Sequence, residues 1–186
     1  NGSTAVGGSV NGSGAPINFG NLTTGGTYAV VATNNTTSCS SNMSGNPVIN
    51  VNALPTAYLM TGGGSYCNGD AGVPVGISGS NTGISYQLYN TSGAVGSPIA
   101  GNGGAISFRN QTVNGNYMVV ATNTSTGCTN NMTGVSAVTA NPLPNSYAVT
   151  GGGPLCNGAS VSVGLANSTA GVSYKSLLIL AAPGQQ

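Results

Sequence analysis

Side chains able to do chemistry are scarce in this sequence, and their types decide what it cannot be. Four cysteines (Cys39, Cys67, Cys128 and Cys156), Asp70, Arg109 and Lys175 are all it offers beyond hydroxyls and amides. Histidine and glutamate are absent, which leaves no serine triad, zinc hydrolase or catalytic carboxylate pair. A serine–lysine dyad would have to use Lys175, in a tail unlike the rest of the chain. One aspartate cannot furnish the oxygen cage of a calcium site. Gly62-Gly-Gly64 lacks the lysine and helix start of a phosphate loop and reads as a backbone bend. No enzyme, cofactor or metal site is expected. The cysteines remain. Without Cys-x-x-Cys pairs or histidines they read as disulfide partners in an oxidising compartment, outside the cytoplasm.

The cysteines also expose the organisation of the chain. Cys39 and Cys128 are 89 positions apart, and so are Cys67 and Cys156, Tyr28 and Tyr117, Met43 and Met132, and Pro55 and Pro144. Between Thr27–Met43 and Asn116–Met132, 10 of 17 aligned residues are identical. A period of this size means tandem copies of one small domain. Residues 55–143 form one complete unit. Residues 1–54 match its later part, 144–174 match its earlier part with one residue deleted between Asn157 and Val161, and 175–186 form a non-repeat tail.

Short alternating apolar runs separated by turn residues predict about seven strands in the complete unit and no helix. The runs are Tyr58–Met60, Val73/Val75/Ile77, Ile84/Tyr86/Leu88, Ile106/Phe108, Tyr117/Val119/Ala121 and Val138/Ala140. Met118 and Val120 suggest that the Tyr117 strand is buried on both faces, and Pro74 suggests an edge or a bulge. The pattern is that of an all-β chain of immunoglobulin-like antiparallel β-sandwich repeats. Tyr86 takes the place of the buried tryptophan, and Gly115-Asn-Tyr117 occupies the tyrosine corner. Proline in Asn52-Ala-Leu-Pro55 and Asn141-Pro-Leu-Pro144 predicts stiff joints between units.

Four cysteines can pair in three ways. Membership of one complete unit favours Cys67–Cys128, leaving Cys39 and Cys156 in the incomplete units. Neither flanking part could bury a core alone. The chain is either a stretch of a longer repeat protein or a subunit whose C-terminal half-domain is completed by the N-terminal half-domain of the next copy. In the second case Cys39 and Cys156 would pair between molecules.

Charged residues are 2% of the chain, against about 25% in an ordinary soluble protein. That excludes phosphate recognition on nucleic acid and electrostatic binding to anionic membranes, and it favours close self-association. Leu177–Ala182, the one long apolar run, is too short to cross a bilayer. Asn-x-Ser/Thr sequences, among them Asn21, Asn90, Asn110 and Asn131, suit an Asn- and Thr-rich composition without glycosylation. Asp70 and Arg109 read as solvated surface groups.

The segments Tyr66-Cys67-Asn-Gly69, Gly115-x-Tyr117-x-Val119-x-Ala121-Thr122, Gly127-Cys128 and Val138-x-x-Asn141-Pro-Leu-Pro144 resemble the immunoglobulin-like repeats of large Bacteroidota surface proteins. The gliding-motility adhesins secreted by the type IX route are the most similar. The resemblance implies an extracellular or cell-surface filament or adhesin stalk, a structural protein, with the Cys67–Cys128 disulfide. The competing expectation is an adhesin module that binds glycans or another polar surface directly, with Tyr89 as an exposed contact.

Overall fold

A computed structural model of the chain describes residues 4–178. Residues 1–3 and 179–186, the latter most of the non-repeat tail, lie outside the described residues. Among the described residues there are fifteen strands and no helix. The first segment carries β1 (Gly26–Thr27), β2 (Val31–Thr33), β3 (Ser40–Asn42) and β4 (Val48–Ile49). The complete unit carries β5 (Met60–Gly62), β6 (Gly64–Cys67), β7 (Val73–Ile77), β8 (Ile84–Asn90) and β9 (Gly93–Ala100). It continues with β10 (Ile106–Gln111), β11 (Gly115–Asn123), β12 (Thr129–Asn131) and β13 (Ser136–Asn141). The last segment carries β14 (Val149–Gly151) and β15 (Val163–Leu165).

Within the complete unit two sheets form. One has the order β10-β7-β5, the other β6-β13-β11-β8-β9, with β12 pairing β11 beyond β13. Alternation along β7, β8, β10 and β11 sends one set of side chains inward. Val75, Ile77, Ile106 and Phe108 of the first sheet thus share one cluster with Tyr86, Leu88, Tyr117, Val119, Ala121 and Val138 of the second. Among the described residues, the buried core side chains all lie between Val75 and Val138. Each fully buried aliphatic side chain contributes roughly 1.5–3 kcal/mol, so this unit holds the stability of the chain.

Gly62-Gly-Gly64 explains how the chain passes from one sheet to the other. All three glycines have φ between 78° and 126°, in the left-handed region that L side chains rarely adopt. A Cβ on Gly62 would lie 2.1 Å from the Pro74 carbonyl oxygen, and one on Gly63 2.6 Å from that of Ala137. β5 therefore leaves the first sheet at the bend and continues as β6 in the second. Ser136 fastens the same edge, its hydroxyl donating to the Thr61 carbonyl at 3.1 Å.

The two flanking segments repeat the local pairings of the complete unit. β1–β4 pairs Gly26 with Ile49, as β11–β13 pairs Gly115 with Val138. β2–β3 pairs Ala32 with Ser41, as β11–β12 pairs Ala121 with Asn130. β14–β15 pairs Thr150 with Gly164, as β5–β7 pairs Thr61 with Gly76. The tyrosine contact recurs too: Tyr117 Oη donates to the Val113 carbonyl at 2.9 Å, and Tyr28 Oη to that of Thr24 at 2.7 Å.

Several expectations need correction. The unit is not wholly antiparallel, because β6 runs parallel to β13. β6, β9 and β12 were not foreseen, and the first strand begins at Met60 rather than Tyr58. β11 is buried on one face only: Val119 is inside, while Met118 points to solvent. Of the two alternatives for Pro74, the edge is wrong, since it lies in the middle strand of its sheet, and the bulge is present: the β7–β10 register shifts next to Pro74, between Ser107 and Asn110 of β10, where Arg109 has a φ of 65°.

Candidate functional site: two cysteine-bearing ends and two half-units

The directions of the strands give the complete unit a leading and a trailing end. At the leading end the chain enters: the Asn130 side-chain amide donates to the Pro55 carbonyl at 2.8 Å. β11 runs toward this end, and Cys128 lies just past its last residue, its carbonyl accepting the Asn123 N–H at 2.8 Å. Two further N–H groups of that turn, those of Ser125 and Thr126, donate to Asn123 Oδ1. At the trailing end the chain leaves. Asn141 closes β13 directly opposite Cys67, the last residue of β6.

Cys67 and Cys128 therefore belong to opposite ends. Gly115 is level with Val138, so Cys67 and Cys128 are separated by the length of β11 plus the last residues of β13. At about 3.4 Å per residue that is roughly 35 Å, whereas disulfide Cα atoms lie within about 7 Å. The expected Cys67–Cys128 bond is not formed, and no disulfide joins any of the four cysteines within the chain. Cys39 and Cys156 occupy the same two positions 89 residues away. They lie in separate incomplete segments, and no bond joins them within the chain. Cys39, Cys67 and Cys156 are exposed, and Cys128 is partly so.

The second feature is apolar surface left without a partner. Val119 is 0% exposed in the complete unit, while its counterpart Val30 is 38% exposed. Met132 and Met43 are 5% and 44% exposed, and Tyr86 and Tyr174 are 0% and 42% exposed. Phe19, Val163 and Leu165 are likewise uncovered, where Phe108, Val75 and Ile77 are core. The segments before and after the complete unit have the strands and apolar faces of a sandwich, but each has only one part of it.

The other residues singled out by sequence are dispersed. Asp70 sits in the turn after Cys67, donating its N–H to the Cys67 carbonyl at 3.0 Å. Arg109 is exposed on β10, far from that turn in sequence. Tyr89 is half-buried rather than exposed, and Asn21, Asn110 and Asn131 are at the surface. At the trailing end Tyr66, Thr112, Asn114 and Pro142 line a shallow depression of about 400 Å³. Tyr66 Oη closes its floor by donating to the Thr112 carbonyl. No group of three or more metal-ligating side chains occurs among the described residues. Compared with known protein families, curated proteins and solved structures, the chain finds no match.

Proposed function

We propose that the chain is a stretch of an extracellular array of immunoglobulin-like sandwiches, acting as a filament or adhesin stalk. Its contribution is mechanical, with no catalysis. Each flanking half-unit acquires a core when its complement is supplied. In a longer chain the complement is adjoining sequence; in a polypeptide of these 186 residues alone it is the opposite half of a second copy. Such a contact is head-to-tail and does not close, so it generates a filament.

The observation that carries this reading is the pairing of identical strand registers with opposite burial. The flanks have the local structure of the complete unit and lack only the facing half. Strand order supports the immunoglobulin type, because the first strand passes from one sheet to the other and Tyr117 fixes the corner before β11. The resemblance to repeats of gliding-motility adhesins points to the same kind of stalk.

The test is sedimentation and negative-stain electron microscopy of the full chain, under reducing conditions and at rising concentration. Unbranched filaments one sandwich wide are expected. A monomer at every concentration would refute head-to-tail completion.

A further inference from the structure

We infer that the cysteines are staples across the joints between successive units, joining Cys67 of one copy to Cys39 of the next and Cys156 of the first to Cys128 of the next. The inference rests on the head-to-tail reading and adds its covalent chemistry. Its basis is that the complete unit carries one cysteine at each end, Cys67 where the following unit begins and Cys128 where the preceding unit stops.

In an array the trailing end of one unit faces the leading end of the following one. Cys67 is level with Asn141, and the next unit starts at Pro144, the counterpart of Pro55. The linker between them, Asn141-Pro-Leu-Pro144, is kept extended, since each proline pushes the residue before it, Asn141 and Leu143, to extended backbone and fixes its own φ. Three residues at about 3.1 Å each advance the chain by roughly 9 Å. The leading-end cysteine reaches back over most of that distance. Pro55 is held by Asn130, and Cys128 stands two residues beyond it toward the preceding unit, or about 6.6 Å. The two cysteines facing each other across a joint are thus within about 3 Å along the axis, and a rotation between units that sets them on the same side brings them within the reach of a disulfide.

Between two copies, the composite unit is built from residues 144–174 of the first and 1–54 of the second. Its leading-end cysteine is Cys39 of the second copy, which faces Cys67 of the first. Its trailing-end cysteine is Cys156 of the first copy, which faces Cys128 of the second. All four sulfurs of each chain are then used, in two bonds per contact. Each bond forms as two thiols give up two electrons and two protons to a small-molecule disulfide such as oxidised glutathione, which leaves as two thiols.

The sequence supplies its own assay. Trypsin has two cleavage sites, after Arg109 and after Lys175, so Cys39 and Cys67 share one fragment and Cys128 and Cys156 share the other. Assembled protein is oxidised with glutathione disulfide, alkylated, denatured, digested and weighed without reduction. The expected products are multiples of 1–109 alone and multiples of 110–175 alone. Cys39→Ser and Cys67→Ser should each lose the 1–109 multiples when oxidised singly. A mixture of the two variants should restore a 1–109 dimer.

Species joining 1–109 to 110–175 would overturn the inference. So would a 1–109 dimer from either variant alone, or free thiols throughout filaments exposed to oxidant. Filaments that form in reductant and never acquire these bonds would remove the staples and leave head-to-tail completion standing. Absence of filaments in both conditions would remove both.

Discussion

The same two methyl groups can be deleted at two places that differ only in whether the sandwich around them is complete. Val119→Ala removes a side chain with no exposed surface, packed between the sheets of the complete unit. At about 0.8 kcal/mol per buried methyl group, plus a cavity term, the loss is about 2–3 kcal/mol. For a domain of this size that lowers the midpoint of thermal unfolding by about 10 °C or more. Val30→Ala makes the equivalent change in the first half-unit, where the side chain already meets solvent. In dilute, unassembled protein it should shift unfolding by less than about 0.5 kcal/mol. Once a second copy covers that face, the same deletion should weaken association by about 2 kcal/mol, or roughly thirtyfold in dissociation constant. Circular dichroism of dilute samples reads the first effect, and the critical concentration for sedimentation reads the second. Equal destabilisation of the dilute protein by both substitutions would refute the reasoning, since Val30 would then already lie in a formed core.

Tyr117→Phe removes the hydroxyl that donates to the Val113 carbonyl at 2.9 Å and should cost about 1 kcal/mol. Tyr28→Phe should cost nothing measurable until the half-unit is covered; urea titration checks both. Gly62→Ala places a methyl group 2.1 Å from the Pro74 carbonyl oxygen at a φ of 78° and should cost about 3 kcal/mol or more, whereas Gly83→Ala, with the same φ and nothing within 4 Å, should cost only about 1 kcal/mol. With Asp70, Arg109 and Lys175 its only acidic or basic side chains, the protein should show nearly the same denaturation midpoint from about 0.05 to 1 M salt.

The parts of the fold legible in the sequence were those where burial forces alternation. Val75/Ile77, Tyr86/Leu88, Ile106/Phe108 and Tyr117/Val119/Ala121 announced their strands because one face of each is core. β9 gave no such signal: Gly93–Ala100 is an edge strand with mostly exposed residues, two glycines and a proline. The cysteine pairing rested on membership of one unit, which says nothing of where in that unit each cysteine lies; the strand directions put the two at opposite ends. β6 was hidden for another reason, since the three glycines read as a bend and not as a passage between sheets. The half-units were legible from the period alone, while the exposure of their apolar faces needed coordinates.

Amide hydrogen exchange tests the completion of half-units most directly. At low concentration the amides of 28–33 and 149–165 should exchange rapidly while those of 117–122 stay protected. Raising the concentration under reductant should slow the flanking amides until they match their counterparts in the complete unit. Flanks that exchange at the same fast rate at every concentration, beside a protected central unit, would contradict the account.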